Sequence, residues 1–410
     1  MENYRVLARQ YRPVRLNEVI GQNFTVTALT NAFNINKLSH AFLFTGIRGV
    51  GKTTIARIIA MGLNCKMDDK PVANPCGKCE NCIQILEDRY EDVLEIDAAS
   101  NTSVDDVREI ISSLKYRPSK GLYKVFIIDE VHMLSNSAFN ALLKTVEEPP
   151  SFVKFIFCTT EIQKIPITII SRCQKYSLNR ASIKEIYDYL FKIKTKENID
   201  ISDEAIKIIA RNSEGSIRDS LTILDQCILG VENSKIDSYQ VNKIMGFTNN
   251  KNLLDLFKNI IEGNISTSVE ELNKIYYQGV EPSKILEGLL NLNYNLISAL
   301  ASGKNKEIYD LTLFENISKK CNIPLLNQIW QMLVKGKQEM IVVAYPIEAL
   351  EITIIRIAYT CRLPSLEEVV NSIKKEKNNE LNLNIDNNEI GNDIKKILEI
   401  FPDGKIVKKD

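Results

Sequence analysis

Three signals follow one another in this 410-residue chain, and their order constrains the fold more than any other feature. A glycine-rich loop occupies residues 46–53, and four cysteines lie between residues 65 and 82. The apolar run 125–128 then ends in two carboxylates, Asp129 and Glu130. Such a loop and such a carboxylate pair form the two halves of a nucleotide site in parallel-sheet proteins. The cysteines are therefore predicted to be an insertion between those halves.

The arrangement of apolar runs predicts an α/β domain followed by helical domains. Short β-branched or aromatic runs at 41–44, 125–128 and 153–158 alternate with helical patterns, which indicates a parallel sheet covered on both faces. Beyond about residue 180 the apolar spacing becomes helical throughout. We expect an α/β domain at 1–178, helical domains at 179–242 and 243–362, and a polar linker with a short C-terminal segment at 363–410.

Composition excludes several classes of function. No apolar run approaches the ~18 residues of a membrane span, and the N-terminus has no secretory pattern. The formal net charge is zero, so any nucleic-acid binding must come from local patches. The nine cysteines, an odd number without a secretion signal, favour a reducing cytoplasmic location, where clustered cysteines are usually metal ligands.

The glycine-rich loop fits the pattern G-x-x-x-x-G-K-[ST] between a predicted strand and a predicted helix. Glycines allow backbone N–H groups to approach phosphate oxygens, and the helix N-terminus adds positive potential. Lys52 is expected to reach the β- and γ-phosphates of ATP, and Thr53 to ligate Mg²⁺. The residues predicted to hold the nucleotide here are Gly46, Ile47, Arg48, Gly49, Val50, Gly51, Lys52, Thr53 and Thr54.

Asp129 and Glu130 follow an apolar strand at the edge where open α/β sheets bind ligands. Asp129 is expected to hold Mg²⁺, directly or through water, and Glu130 to orient and polarise the attacking water. His132 completes the letters Asp-Glu-x-His of one helicase motif, but we interpret it as a structural histidine packed beside the sheet. Together these residues predict an ATP-hydrolysing site.

The four cysteines, Cys65, Cys76, Cys79 and Cys82, have the spacing C-x10-C-x2-C-x2-C. Four thiolates in tetrahedral geometry suit a structural Zn²⁺, and no histidine lies nearby. An iron–sulfur cluster is the alternative metal centre, but its pattern requires a cysteine where Leu86 stands. Unliganded buried thiols are the third interpretation.

Taken together, these motifs resemble the AAA+ clamp-loader ATPases, most closely the gamma/tau subunits of bacterial DNA polymerase III. The resemblance covers residues 4–362 and is carried by LARQYRP at 7–13, GVGKT at 49–53, EIDAAS at 95–100, IDEVHML at 128–134, EEPP at 147–150, SRC at 171–173 and GSIRD at 215–219. It implies a RecA-like ATPase domain with a zinc-knuckle insertion, an all-helical lid and an all-helical collar that holds an oligomer together.

The resemblance also implies roles that spacing alone does not give. Arg172 corresponds to an arginine finger that completes a neighbouring subunit's site, and Arg218 to a sensor on the lid of the same chain. Thr160 stands where the family places a polar sensor. The adenine and ribose are expected to contact Arg12, Pro13 and Val19. Taken alone, either arginine would be interpreted as a surface salt-bridge residue.

As a function, the resemblance implies an ATPase motor that loads a ring-shaped sliding clamp onto primer–template DNA. Implied partners are delta, delta-prime and further copies of this chain, with no membrane. No polymerase acidic pair in a palm-like context is seen, so a polymerase label would reflect holoenzyme membership. The C-terminal segment 394–407 leaves two interpretations open, a docking site for the polymerase alpha subunit or a short element without a partner. The rival functions are a DExH helicase and a scaffold that binds ATP without turnover.

Overall fold

The computed structural model describes residues 6–100, 111–114, 116–230, 235–245, 250–302 and 321–362. The chain divides into two compact units, Met1–Met245 and Gly246–Asp410. The predicted linker and the C-terminal segment 394–407 lie outside the described residues.

A five-stranded parallel sheet forms the centre of the first unit, which confirms the predicted fold class. Its strands, in the spatial order β2-β3-β4-β1-β5, are β1 (Ala41–Thr45), β2 (Val93–Asp97), β3 (Lys124–Asp129), β4 (Val153–Thr159) and β5 (Gln174–Ser177). The three central strands are almost entirely buried, as their continuous apolar runs predict for a sheet covered on both faces.

Side chains of β1 alternate between two apolar layers. Phe42 and Phe44 pack with the helix Lys52–Asn64, whereas Ala41 and Leu43 pack with the layer that contains the helix Asn136–Glu147. The helices and 3₁₀ helices described around the sheet are Leu7–Gln10, Leu16–Glu18, Asn23–Asn34, Lys52–Asn64, Glu80–Leu86, Val131–Met133, Asn136–Glu147, Ile162–Lys164 and Ile167–Ile170. Helices on both faces leave the strand ends as the open edge of the sheet.

The remainder of the first unit is helical in its described part, apart from a single bridge between Ile201 and Ile236. Ser182 begins the first of these helices with a reciprocal capping box to Glu185, which satisfies two backbone donors. The helices are Ile183–Lys196, Asp203–Asn212, Ile217–Gly230 and Ser238–Ile244. They share one apolar cluster, and Leu7 from the N-terminal helix is part of it.

The second unit is a helical bundle with its own apolar core. Its described helices are Asn250–Ile261, Ile265–Tyr277, Pro282–Ser302, Ile323–Val342 and Pro346–Arg362. In the last two helices, Gly336 faces Thr353 so closely that an added Cβ would stand 2.6 Å from the threonine Oγ1. Only glycine allows this approach. None of the described helices combines the length and apolar character that a bilayer span requires.

Candidate active site

The candidate site lies where the carboxyl ends of β1, β3 and β4 meet. β4 stands between the other two strands, so its end separates the glycine-rich loop from the carboxylates of β3. The loop is fixed to that end because the Gly46 N–H donates to the Thr159 carbonyl at 3.2 Å. Gly51, with a φ of 110°, precedes the helix Lys52–Asn64 and turns the first N–H groups of the helix toward the loop. A cavity of about 900 Å³ opens at this edge.

Lys52 is buried beneath the loop, with only 5% of its side chain exposed. Its Nζ donates to the carbonyls of Gly46 and Ile47, at 2.9 and 3.0 Å, and lies 3.9 Å from Glu130 Oε1. Burying an ammonium group is costly unless acceptors surround it. The loop thus supplies two backbone acceptors to the ammonium group.

Thr53 and Asp129 are in direct contact, although 76 residues separate them in sequence. The Thr53 hydroxyl donates to Asp129 Oδ2 at 2.6 Å. A hydroxyl and a carboxylate side by side, next to a phosphate-binding loop, form the oxygen-rich arrangement that Mg²⁺ prefers. The two residues assigned to Mg²⁺ from the sequence are therefore brought to one point.

Glu130 adopts a left-handed backbone conformation, with a φ of 46°, directly after β3. Such a conformation is unusual for a non-glycine residue and is concentrated at functional sites. The carboxylate accepts hydrogen bonds at Oε2 from the backbone N–H and the hydroxyl of Thr160, at 3.1 and 3.0 Å. Thr160 thus reaches the site through Glu130 and is not part of the cavity wall.

Most of the residues assigned to the nucleotide line the cavity. They are Arg12, Pro13, Val19, Arg48, Gly49, Val50, Gly51, Lys52, Thr53, Thr54, Asp129, Glu130 and Arg218. Gly46 and Ile47 instead contact Lys52, which lies beneath the loop, through their carbonyls. Residues from the N-terminal helix, the loop and the later helices of the same unit therefore surround one space.

Sequence reasoning missed Arg57, which also lines the cavity. Its guanidinium donates twice to Glu95, at 2.6 and 2.8 Å, and this pair is largely buried. Burial, together with repulsion from Arg57, lowers the pKa of nearby Arg12. The available signal was a lone arginine within the apolar helix that follows Lys52. Arg57 thus brings to the wall a guanidinium that is already paired with Glu95, next to the carboxylates of Asp88 and Asp97.

Arg218 reaches the cavity because the start of the helix Ile217–Gly230 packs against the glycine-rich loop. The Arg218 N–H donates to the Gly49 carbonyl at 3.4 Å. A Cβ added at Gly49 would stand 2.1 Å from Ser216 Oγ, so only glycine permits the contact. The helical region thus touches the loop directly, and Arg218 lies over the site of its own chain.

Arg172 does not line the cavity of its own chain. Its guanidinium donates to Glu147 Oε1 and to the Thr168 carbonyl, both at 2.8 Å. The side chains of Arg172 and Glu147 are 32% and 55% exposed, so the ion pair lies at the surface. The predicted finger is thus separate from the site assembled around Lys52.

The four cysteines converge as predicted from their spacing, with all sulfurs within 4.8 Å of one another. Zn–S bonds of about 2.3 Å place tetrahedral sulfurs roughly 3.8 Å apart, and the Cys76 and Cys82 sulfurs are 3.9 Å apart. Gly77, with a φ of 69°, allows the turn in which the Lys78 and Cys79 N–H groups donate to Cys76 Sγ. Burial raises the pKa of the Cys76 thiol, but these donors and the hydrogen bonds with the Cys79 and Cys65 side chains outweigh burial and lower it to about 6. Burial raises the pKa of Cys65 and of Cys82. The spacing of the sulfurs therefore fits a four-thiolate metal site.

Known protein families match most of the length of this chain. Three family models match it, described as "DNA polymerase III, delta subunit" at 21–182, "DNA polymerase III clamp loader subunit, ATPase lid domain" at 185–231 and "DNA polymerase III subunits gamma and tau domain III" at 236–373. The DNA polymerase III subunit gamma of Buchnera aphidicola subsp. Baizongia pistaciae is 38% identical over 360 residues, which cover 86% of this chain and 96% of that protein. The chain belongs to the family of DNA polymerase III gamma/tau subunits.

Other members of the gamma/tau family are longer. The DNA polymerase III subunit tau of Escherichia coli K12 is 37% identical over 373 residues, which cover 90% of this chain and 57% of that protein. This chain thus spans little more than half the length of that relative. Among solved structures, Thermotoga maritima RuvB matches with a TM-score of 0.44 and 23% identity, covering 66% of this chain and 86% of the other. The gamma relative and the family models confirm the resemblance to the gamma/tau family found in the sequence.

Proposed function

We propose that this chain is the ATP-hydrolysing motor subunit of a bacterial replicative clamp loader. The observation that carries the proposal is the contact between Thr53 and Asp129 beside buried Lys52, because it unites a phosphate-binding loop and a carboxylate strand in one site. The names of the family models and relatives support the clamp-loader assignment.

In this proposal each side chain of the site has a separate task. Lys52 neutralises the β- and γ-phosphates, while Thr53 and Asp129 hold Mg²⁺, which would neutralise charge on the phosphate oxygens. Glu130 orients the attacking water and accepts its proton. Arg218 senses the γ-phosphate from the same chain, and Arg172 from a neighbouring chain stabilises the charge that develops in the transition state.

The proposed partners follow from the family. They are delta, delta-prime, further copies of this chain, the sliding clamp and primer–template DNA. Nucleotide binding would organise the subunits around the clamp, and hydrolysis would release the closed clamp on DNA. Docking of the polymerase alpha subunit on segment 394–407, which lies outside the described residues, is an additional proposal.

Two rivals are less well supported. A DExH helicase requires a second RecA-like lobe, whereas the described residues beyond 177 are helical apart from one bridge. A scaffold that binds ATP without turnover would not need Glu130, which the structure holds at the cavity wall by two hydrogen bonds. Assays of ATP hydrolysis, clamp transfer and strand separation distinguish both rivals from the proposal.

The test combines the full chain with the delta, delta-prime and clamp proteins of its own organism. ATP hydrolysis is measured with and without primed DNA, and clamp transfer is measured by fluorescence on a labelled, end-blocked template. We expect DNA and clamp together to stimulate hydrolysis, and clamp transfer to require ATP. Strand separation by the chain alone would favour the helicase, and tight binding without turnover in the full assembly would favour the scaffold.

We also propose that the cysteine cluster holds one structural Zn²⁺ per chain. Cys65 lies directly after the helix Lys52–Asn64, and Cys79 caps the helix Glu80–Leu86, so a closed site would tie two helices together. Four thiolates leave no open coordination position for a substrate, so the metal would have a structural role and not a catalytic one. The insertion would then stabilise the far end of the helix that begins at Lys52.

Cys79→Ser is expected to lose the metal and to lower the melting temperature of the first unit. Elemental analysis of the purified chain should give one zinc for the unchanged protein and well below one for the variant. Cys321→Ser is the matched control, because Cys321 lies in the second unit, remote in sequence from the cluster. This variant protein should keep its full zinc content. A metal-free unchanged protein, or one that contains iron with a visible charge-transfer band, would contradict the proposal.

A further inference from the structure

His132 lies behind the catalytic carboxylate, at the first turn after β3. Its side chain is 6% exposed. Nδ1 lies 3.0 Å from Thr159 Oγ1 and 3.4 Å from Glu130 Oε2, and Nε2 lies 3.4 Å from Glu161 Oε1. The ring is therefore placed between two carboxylates: Thr159 Oγ1 is the hydrogen-bond partner of Nδ1, and each ring nitrogen lies 3.4 Å from a carboxylate oxygen.

The surroundings of Glu130 are asymmetric. Its Oε2 faces Thr160 and the His132 ring, whereas its Oε1 faces Lys52 at 3.9 Å on the cavity side. One oxygen is thus held by the protein and the other is directed toward the phosphate-binding region. This is the orientation that a water-polarising carboxylate requires, because the oxygen near the reaction has to remain accessible.

The ring itself is held from the other side. Thr159 is fully buried at the end of β4, and its hydroxyl also accepts the Glu161 N–H at 3.0 Å. Glu161 is in turn paired with Lys164 at 2.9 Å. Hence His132 is held by Thr159 of β4 and by Glu161 in the turn after it, and it also contacts Glu130, the residue that follows β3.

We propose that His132 is a positioning residue that braces Glu130, keeping Oε1 directed at the attacking water. The inference rests on the proposed function, because it assumes that Glu130 acts in ATP hydrolysis. It revises the interpretation of His132 as a purely structural histidine. A shift of about 1 Å in a catalytic group can cost about 10²-fold in rate, so loss of the brace should slow turnover without weakening nucleotide binding.

The first test compares three variants of the full chain in the assembled complex with DNA and clamp. His132→Leu keeps the apolar volume and removes both ring nitrogens. It is expected to lower kcat at least about tenfold, with an unchanged Kd for a non-hydrolysable ATP analogue. His132→Asn retains an amide near the Nδ1 position and should recover part of kcat. His40→Leu, the same change at the other histidine of the chain, should behave as the unchanged protein.

Three results would overturn the proposal. They are unchanged kcat in folded His132→Leu, no recovery in His132→Asn, and a loss of nucleotide affinity that accounts for the loss of rate. A rise in kcat would equally contradict it, because the contact would then restrain Glu130. Failure of the proposed function is recognised separately, since Glu130→Gln would then hydrolyse ATP at the unchanged rate.

A second measurement remains informative if His132→Leu does not fold. The chain has two histidines, so ¹⁵N-labelled imidazole gives two sets of NMR signals. Glu161→Gln alters a side chain that is 49% exposed and should not affect folding. We expect it to shift the His132 nitrogens, leave those of His40 in place and lower kcat. If neither the His132 signals nor kcat change, the contact between Glu161 and His132 does not affect the position of Glu130, and the proposal is wrong.

Discussion

Glu130→Gln is expected to leave ATP binding intact and to slow hydrolysis by about 10²–10⁴-fold, the usual contribution of a positioned general base. The amide keeps the size of the carboxylate and can still accept the two hydrogen bonds from Thr160. It cannot take a proton from water. Nucleotide affinity is measured with a fluorescent ATP analogue, and turnover by phosphate release in the assembled complex.

Lys52→Ala is the companion variant and should fail at nucleotide binding, before hydrolysis. The buried ammonium contacts the carbonyls of Gly46 and Ile47 beneath the loop, so its removal takes away the cation that faces the phosphates. We expect tight ATP binding to be lost. Unchanged turnover in Glu130→Gln, alongside an inactive Lys52→Ala, would show that a different group polarises the water.

The central sheet and the phosphate site could be predicted because both depend on local chemistry. Continuous apolar runs identified β1, β3 and β4, and each is buried as a central parallel strand should be. The glycine-rich loop and the carboxylate pair are each recognisable from a short stretch of consecutive residues. Since the carboxyl ends of parallel strands meet at one edge, the proximity of Thr53 and Asp129 followed from the fold class alone.

The edge strands were not predicted from the apolar pattern, because it is weak there. β2 (Val93–Asp97) and β5 (Gln174–Ser177) each have a single buried side chain. β5 is mostly polar, and Glu95 and Asp97 interrupt the apolar residues of β2, so neither forms a continuous apolar run. The contacts of Arg57 with Glu95 and of His132 with Glu161 also escaped prediction. They join residues from different elements, and no spacing rule connects such pairs before the strand order is known.

The position of Arg172 agrees with a role outside its own subunit. The family resemblance assigned this arginine to the ATP site of a neighbouring subunit. In the structure it lies at the surface, paired with Glu147, and does not line the cavity of its own chain. An exposed pair of this kind is worth only about 0–1 kcal/mol. To reach a phosphate of another subunit, Arg172 would have to release this pair and its hydrogen bond to the Thr168 carbonyl.

Arg172→Ala is expected to leave ATP binding unchanged and to reduce hydrolysis in the assembly by about 10³–10⁵-fold, the range for arginine fingers. Arg89→Ala, a matched change at a surface arginine paired with Glu87, should have no effect. Arg218→Ala should instead impair the site of its own chain, because that residue lines the same cavity as Lys52. Binding and turnover are measured on the same preparations, so the two effects are separated.

The decisive measurement mixes Arg172→Ala chains with Lys52→Ala chains. Each variant alone lacks one half of every site, and both should be inactive. In a mixed oligomer, an Arg172→Ala chain still has Lys52, and a Lys52→Ala neighbour still supplies Arg172, so part of the interfaces regain a complete site. ATP hydrolysis stimulated by DNA and clamp should therefore reappear on mixing and depend on the ratio of the two chains. If native mass spectrometry detects mixed oligomers and no activity returns, Arg172 does not act on a neighbouring subunit.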